Sequence, residues 1–222
     1  MSFADLSYLE VNAVKHQYTV IWLHGLGADG YNFLSIVPEL KLPESLGIRF
    51  IFPHAPVMPV TINQGLAMRA WFDIYELSLQ AKIDEKGIMQ SVKSVQALII
   101  KENAKGILSS HIFLAGFSQG AVVALTTGLL HSERLGGVLA LSGFLPLADK
   151  LIARANPSNR TLPIFVAHGT VDEVLPFALG EMTYHALHQA GYLVTWHAYP
   201  MAHSVCDAEI RDISSWLQGI CG

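Results

Sequence analysis

Gly116, Phe117, Ser118, Gln119 and Gly120 place a serine between two glycines at the junction of two apolar runs, IFLA before and AVVALTTG after. A serine hydroxyl can act as a nucleophile, but it is weak at neutral pH and needs a base to take its proton. The pattern G-x-S-x-G between a strand and a helix is that of a nucleophile elbow. The turn is so tight that the serine's neighbours must be nearly free of side chain, and the serine is held in a strained backbone conformation that lifts its hydroxyl above the sheet edge. The plainer alternative is a strand-to-helix turn with Ser118 as N-cap, which would need only one glycine.

The partners of a serine in this topology follow in the order acid, then histidine. His203, in YPMAHSV, lies after the last expected strand and before the last expected helix, where a loop can carry it back over the sheet edge. His24, His54, His111, His131, His168, His185, His188 and His197 lie upstream of any suitable acid, inside expected strands or helices, or at strand ends ahead of a glycine. Asp172, in VAHGTVDEVLP, follows an expected strand by a short turn and falls between Ser118 and His203. Glu173 is the runner-up, whereas Asp207 and Asp212 come after His203 and reverse the order. A turn or N-cap aspartate is the structural alternative for Asp172.

An attacked carbonyl becomes an oxyanion and needs two N–H donors aimed at one point. One is the backbone N–H of Gln119, the residue after the serine. The other is expected from the turn VIWLHGLGADG, where Gly25, Gly27 and Gly30 allow close backbone approach and Leu26 is the best-placed donor. Those glycines do not have the spacing of a dinucleotide or P-loop fingerprint. His185 and His188 stand three apart on an expected helix, but no third ligand is near in sequence, so no metal and no cofactor are expected.

These residues must be held by a scaffold. Short β-branched runs at 19–23, 48–52, 111–115, 138–141, 164–167 and 194–199 alternate with segments of helical period, including Ile88, Val92, Val95 and Ile99, and the stretches 177–189 and 207–217. Alternation of this kind predicts an α/β fold with a mostly parallel sheet and helices on both faces. Strands that are apolar at consecutive residues fit a sheet covered on both sides. No repeat or linker divides the chain, which reads as one domain over residues 1–222. The stretch 55–80 lacks a period, carries Pro56, Pro59, Trp71 and Phe72, and reads as a long loop walling a binding site. Trp71, Ile74, Leu77 and Phe144 are the expected lining of an acyl groove, with core packing as the alternative for each.

The 222 residues are 51% hydrophobic and 14% charged, with a net charge of -4, enough for a large core and without a basic face for nucleic acid. The N-terminus lacks a secretory pattern and no run nears the ~20 apolar residues that span a bilayer, so a soluble, cytoplasmic protein without membrane insertion is expected. Cys206 and Cys221 read as reduced thiols. A mean hydropathy of +0.37 points to a large core or to apolar surface for a partner subunit.

The blocks VIWLHGLGADG, FPHAPVMPVTINQG, RAWFDI, IFLAGFSQG, VLALSGFLP, HGTVDEVLPF and YPMAHSV, in order over residues 18–216, resemble the acyl-protein thioesterase and carboxylesterase family of small α/β-hydrolases. The resemblance implies the α/β-hydrolase fold, a triad of Ser118, Asp172 and His203, and oxyanion donors at Leu26 and Gln119. It also implies cleavage of carboxylic esters or acyl thioesters and, with the apolar composition, a homodimer. Lysophospholipase activity and a ligand-binding protein without turnover are the alternatives. The short stretch between the strands at 138–141 and 164–167 leaves no room for a lid domain. The chain departs from the family pattern at Ala121 and Ala202, where glycine is usual, and at Arg69 and Ala70, where Pro-Ser is usual. The two added methyl groups are expected to press on the elbow and on the His203 loop.

Overall fold

The computed structural model describes residues 6–76 and 82–222. In chain order it contains β1 (Tyr8–Val11), β2 (Tyr18–Leu23), the short α1 (Ile36–Glu39), β3 (Ile48–Pro53), β4 (Val57–Val60), β5 (Leu66–Arg69), α2 (Glu85–Ala104), β6 (Ile112–Phe117), α3 (Gln119–Leu130), β7 (Gly137–Leu141), α4 (Ala148–Arg154), β8 (Pro163–Gly169), α5 (Phe177–Gln189), β9 (Leu193–Tyr199) and α6 (Asp207–Cys221). Seven strands form one sheet in the order β1-β3-β2-β6-β7-β8-β9. Every pair is parallel except β1 with β3. The chain leaves β2 toward β3 on one side and leaves β6 toward β7 on the other. Loops at the C-terminal ends of β2 and β6 therefore diverge and open a crevice between them.

Consecutive apolar residues make these strands because both faces are covered. Ile21 and Leu23 of β2 pack on one face with Ile112 and Leu114 of β6, while Val20 and Trp22 pack on the other with Phe113 and Ala115. All eight are 0% exposed. On the first face α2, α3 and α4 supply Val92, Val95, Leu125 and Leu151. On the second, α1 and its C-cap supply Ile36 and Leu40, and α6 supplies Ile213 and Leu217. Fully burying one such aliphatic side chain stabilises by roughly 1.5–3 kcal/mol. Helix α3 is buried from Gln119 through Leu129, which explains why its sequence has no polar face.

The six expected strands are all present, with ends moved by a residue or two. The stretch 177–189 is α5, and 207–217 belongs to α6. The short helices α1 and α4 have no counterpart among the expected elements, and β1 and a hairpin also differ from expectation. β1 is a short antiparallel edge strand whose exposed Glu10 interrupts any apolar run. The stretch 55–80 contains an antiparallel hairpin, β4 with β5, where the sequence reads as a loop. Pro59 hides it, yet proline is tolerated because it faces Ala67 in a ribbon that, among the described residues, has two strands and open outer edges. Gln64 and Gly65, at φ 56 and 77, reverse the chain there, and the Asp73 carboxylate holds the turn by accepting from Thr61 N at 2.7 Å and Thr61 Oγ1 at 2.6 Å. Between β7 and β8 lie only α4, a short 3-10 turn and connecting loops, so no lid domain is inserted.

Candidate active site

Ser118 sits at the C-terminal end of β6 with φ 55 and ψ −118, a backbone conformation that a side chain-bearing residue rarely adopts. A Cβ on Gly116 would lie 2.3 Å from the carbonyl carbon and oxygen of Gly120, and a Cβ on Gly120 would lie 2.3 Å from Leu23 O. Both glycines are therefore required, the first for the turn and the second for the approach of α3 to β2. The Ser118 N–H donates to Leu141 O at 2.9 Å, but its hydroxyl makes no capping bond to α3. The N-cap alternative fails on that point, and the hydroxyl is left for other work.

Asp172 lies three residues beyond β8, with its side chain fully buried. Its Oδ1 accepts from Val174 N at 2.9 Å and Leu175 N at 2.8 Å, and its Oδ2 accepts from His203 Nδ1 at 2.7 Å. A carboxylate only accepts, so Nδ1 of His203 carries the hydrogen and Nε2 is left with its lone pair. Glu173, the neighbouring acid, is exposed. The His203 ring lies 4.8 Å from that of Phe117, and His203 and Ser118 line the same cavity. His168 is fully buried beside Asp172, with Nε2 3.0 Å from Leu175 O and 3.4 Å from Asp172 Oδ2. Burial pushes its pKa down, so it stands there as a neutral donor to the Leu175 carbonyl and not as a second cation.

A hydroxyl at a strained elbow, an imidazole oriented by a buried carboxylate and a shared cavity form a constellation suited to acyl transfer. The sequence profile of the phospholipase/carboxylesterase family matches residues 5–221. This chain belongs to that family. It is 39% identical over 208 residues to acyl-protein thioesterase 1 of Yarrowia lipolytica, covering 91% of this chain and 92% of that protein. It is 36% identical over 202 residues to the carboxylesterase SOBER1 of Arabidopsis thaliana, covering 90% and 89%. The crystal structure of SOBER1 superposes with a TM-score of 0.88 at 34% identity, covering 93% of this chain and 100% of that one. Acyl-protein thioesterase 2 of Zea mays superposes at 0.87 and 30% identity, covering 97% and 99%.

In this member of the phospholipase/carboxylesterase family the turn after β2 is rich in glycine, with Gly25, Gly27 and Gly30. Gly27, at φ 73, donates to Arg69 O at 2.9 Å, and Leu26 lines the cavity beside Gln119. Among the described residues, no acceptor takes the backbone N–H of Leu26 or of Gln119. The side chain of Gln119 has a role that its sequence position does not announce. Its Oε1 accepts from Trp71 N at 2.8 Å and its Nε2 donates to Phe72 O at 2.7 Å, tying the start of α3 to the segment after β5.

The cavity has a volume of about 600 Å3. Of the expected groove residues, Ile74 and Phe144 line it. Leu77 lies outside the described residues. Trp71 does not line it, which corrects the sequence reading: the indole is 2% exposed and donates from Nε1 to His24 O at 2.8 Å, so it packs behind the turn that follows β2. Val174, Leu175 and Leu179 line the cavity unforeseen. The apolar run VLPFAL, which begins two residues after Asp172, is the signal that could have found them.

The family departures are absorbed locally. The Ala121 methyl is fully buried opposite Gly143, where a Cβ would come within 2.4 Å of it, so the missing side chain of Gly143 makes the room. Ala202 is exposed. The Arg69 guanidinium donates to Ala55 O at 2.8 Å, and Ala70 is fully buried. Among the described residues, no three His, Cys, Asp or Glu side chains converge on a metal site, and no helix is long and apolar enough to cross a membrane.

Proposed function

We propose that this chain is a serine hydrolase that cleaves carboxylic esters or acyl thioesters through an acyl-enzyme on Ser118. The observation that carries the reading is the 2.7 Å bond from His203 Nδ1 to the buried Asp172, which leaves Nε2 as a base in the cavity that Ser118 enters at positive φ. Ser118 Oγ attacks the carbonyl carbon as its proton passes to His203 Nε2. The Leu26 and Gln119 N–H groups take the oxyanion. Collapse of the tetrahedral intermediate breaks the bond to the leaving oxygen or sulfur, which receives the proton from His203. Water then gives a proton to His203 and attacks the acyl-serine, releasing the carboxylic acid and restoring Ser118.

Ile74, Phe144 and Leu179 give the cavity an apolar wall for an acyl chain. Each methylene buried there contributes about 0.8 kcal/mol, or roughly fourfold in kcat/KM. Lysophospholipids, as acyl esters, fall within the same chemistry. Free thiols at Cys206 and Cys221 fit a reducing cytoplasmic setting, and the apolar composition supports a homodimer, which sedimentation would read as twice the chain mass. The test is hydrolysis of p-nitrophenyl esters and acyl thioesters of rising length by the wild type and Ser118→Ala. Turnover that rises with chain length and vanishes in the folded variant is expected. A wild type that turns over no ester, or a variant that matches it, contradicts the reading and favours a ligand-binding role.

A further inference from the structure

We infer that His24 is a positioning residue for the oxyanion hole: by donating Nδ1–H to the carbonyl of Gly25, it fixes the direction of the Leu26 N–H. The inference rests on the reading of Leu26 as an oxyanion donor. The Gly25 carbonyl and the Leu26 N–H belong to one planar, trans peptide and point in opposite directions, so whatever grips the oxygen aims the hydrogen. His24 grips it at 2.7 Å, with the Ala28 N–H as a longer second donor at 3.3 Å. The following peptide is held separately, by the Gly27 N–H on Arg69 O. The two supports bracket Leu26.

The imidazole has no freedom to do otherwise. A carbonyl oxygen only accepts, so Nδ1 must carry the hydrogen. The Ala55 N–H, 3.0 Å from Nε2, only donates, so Nε2 must be bare. The ring is 1% exposed, its centroid 5.2 Å from that of Trp71, whose indole N–H holds the His24 carbonyl. Burial pushes the pKa down to about 4, so the neutral tautomer persists across working pH. The other donor, Gln119, is the first residue of α3 and takes its direction from the helix. The Leu26 side of the hole is built on a loop, so the direction of its backbone N–H depends on a brace from outside that peptide.

Two near-isosteric variants separate the two bonds. His24→Asn keeps a donor where Nδ1 stands and loses the acceptor for Ala55; His24→Gln places an oxygen for Ala55 and loses the donor to Gly25. The expected result is a kcat for His24→Gln lower by about 10- to 100-fold with KM within threefold, since one misaimed oxyanion donor costs up to that order. Binding of a trifluoromethyl ketone, whose adduct carries the oxyanion, weakens in parallel. His24→Asn retains kcat within about threefold even where its melting temperature falls. A merely structural role predicts instead that activity follows melting temperature in both variants, and that result overturns the inference, as does an undiminished kcat in His24→Gln. Should neither variant fold, nitrogen-15 NMR of the wild type decides: an Nδ1-protonated, neutral ring down to pH 5 supports the inference, and an Nε2-protonated ring removes the donor and ends it. Ester turnover surviving in Ser118→Ala would mark failure of the functional reading itself.

Discussion

Replacing Asp172 by asparagine changes one oxygen for one NH2, and the structure dictates which. Oδ1 accepts from two backbone donors, Val174 N and Leu175 N, so the amide must keep its oxygen on that side. Its NH2 then faces His203 Nδ1, where Oδ2 stood. Two donors cannot face one another, so His203 must give up its Nδ1 hydrogen and carry it on Nε2, and the base in the cavity becomes a donor. The serine proton then has nowhere to go. The fold has little reason to suffer, because both backbone bonds survive. A wrong-tautomer change of this kind costs about 10⁴-fold in kcat, near 5.5 kcal/mol in activation free energy. The assay is steady-state hydrolysis of a p-nitrophenyl ester at pH 7.5, with melting temperature and nitrogen-15 shifts of His203 on the same samples. A kcat within tenfold of wild type in a folded variant, or a His203 that still carries its hydrogen on Nδ1, would refute the reasoning.

Gly120→Ala drives a methyl to 2.3 Å from Leu23 O and 2.7 Å from His24 O, backbone that cannot step aside. A loss of about 3 kcal/mol in urea unfolding and of more than 100-fold in ester turnover is expected. Gly219→Ala, with nothing within 4 Å of its added methyl in α6, is the control and should gain up to about 1 kcal/mol without changing kcat. Burial lifts the Glu209 carboxyl from 4.5 to about 8, opposed in part by the Cys206 N–H. Its folded pKa is raised, so its contribution to stability is full below pH 4.5 and is lost as pH rises toward about 8. Glu209→Gln should therefore melt higher than wild type at pH 8, by up to a few kcal/mol of stability, and the gap should close by pH 4.5; thermal scans at matched pH show it. Phe144→Ala should flatten the chain-length dependence, costing about tenfold in kcat/KM for long acyl esters and less than twofold for acetyl.

The strands were legible because a two-sided sheet demands unbroken apolar runs, and β2, β6, β7 and β8 have them. Ser118, Asp172 and His203 stood out for a related reason: an elbow needs two glycines, and the chain order restricts which acid and histidine can follow. What escaped depends on contacts between segments distant in sequence. The hairpin of β4 and β5 is masked by Pro59, whose tolerance rests on the ribbon having open edges. Trp71 looked like a groove wall because it lies beside Phe72 and Ile74, but the His24 carbonyl draws its indole inward. The brace of Gln119 on Trp71 and Phe72 spans almost fifty residues of chain, and no local pattern marks it.

The central claim is that Ser118 carries the acyl group between two half-reactions. Rapid quenching of the protein with a p-nitrophenyl ester of a long-chain acid, whose good leaving group makes acylation faster than deacylation, followed by digestion and mass spectrometry, measures it most directly. The account predicts an acyl adduct on the peptide containing Ser118, formed before the acid product reaches steady state and depleted when an added nucleophile such as hydroxylamine intercepts the acyl-serine. Full ester turnover with that peptide unmodified at every time point, or an adduct on another side chain, would contradict it.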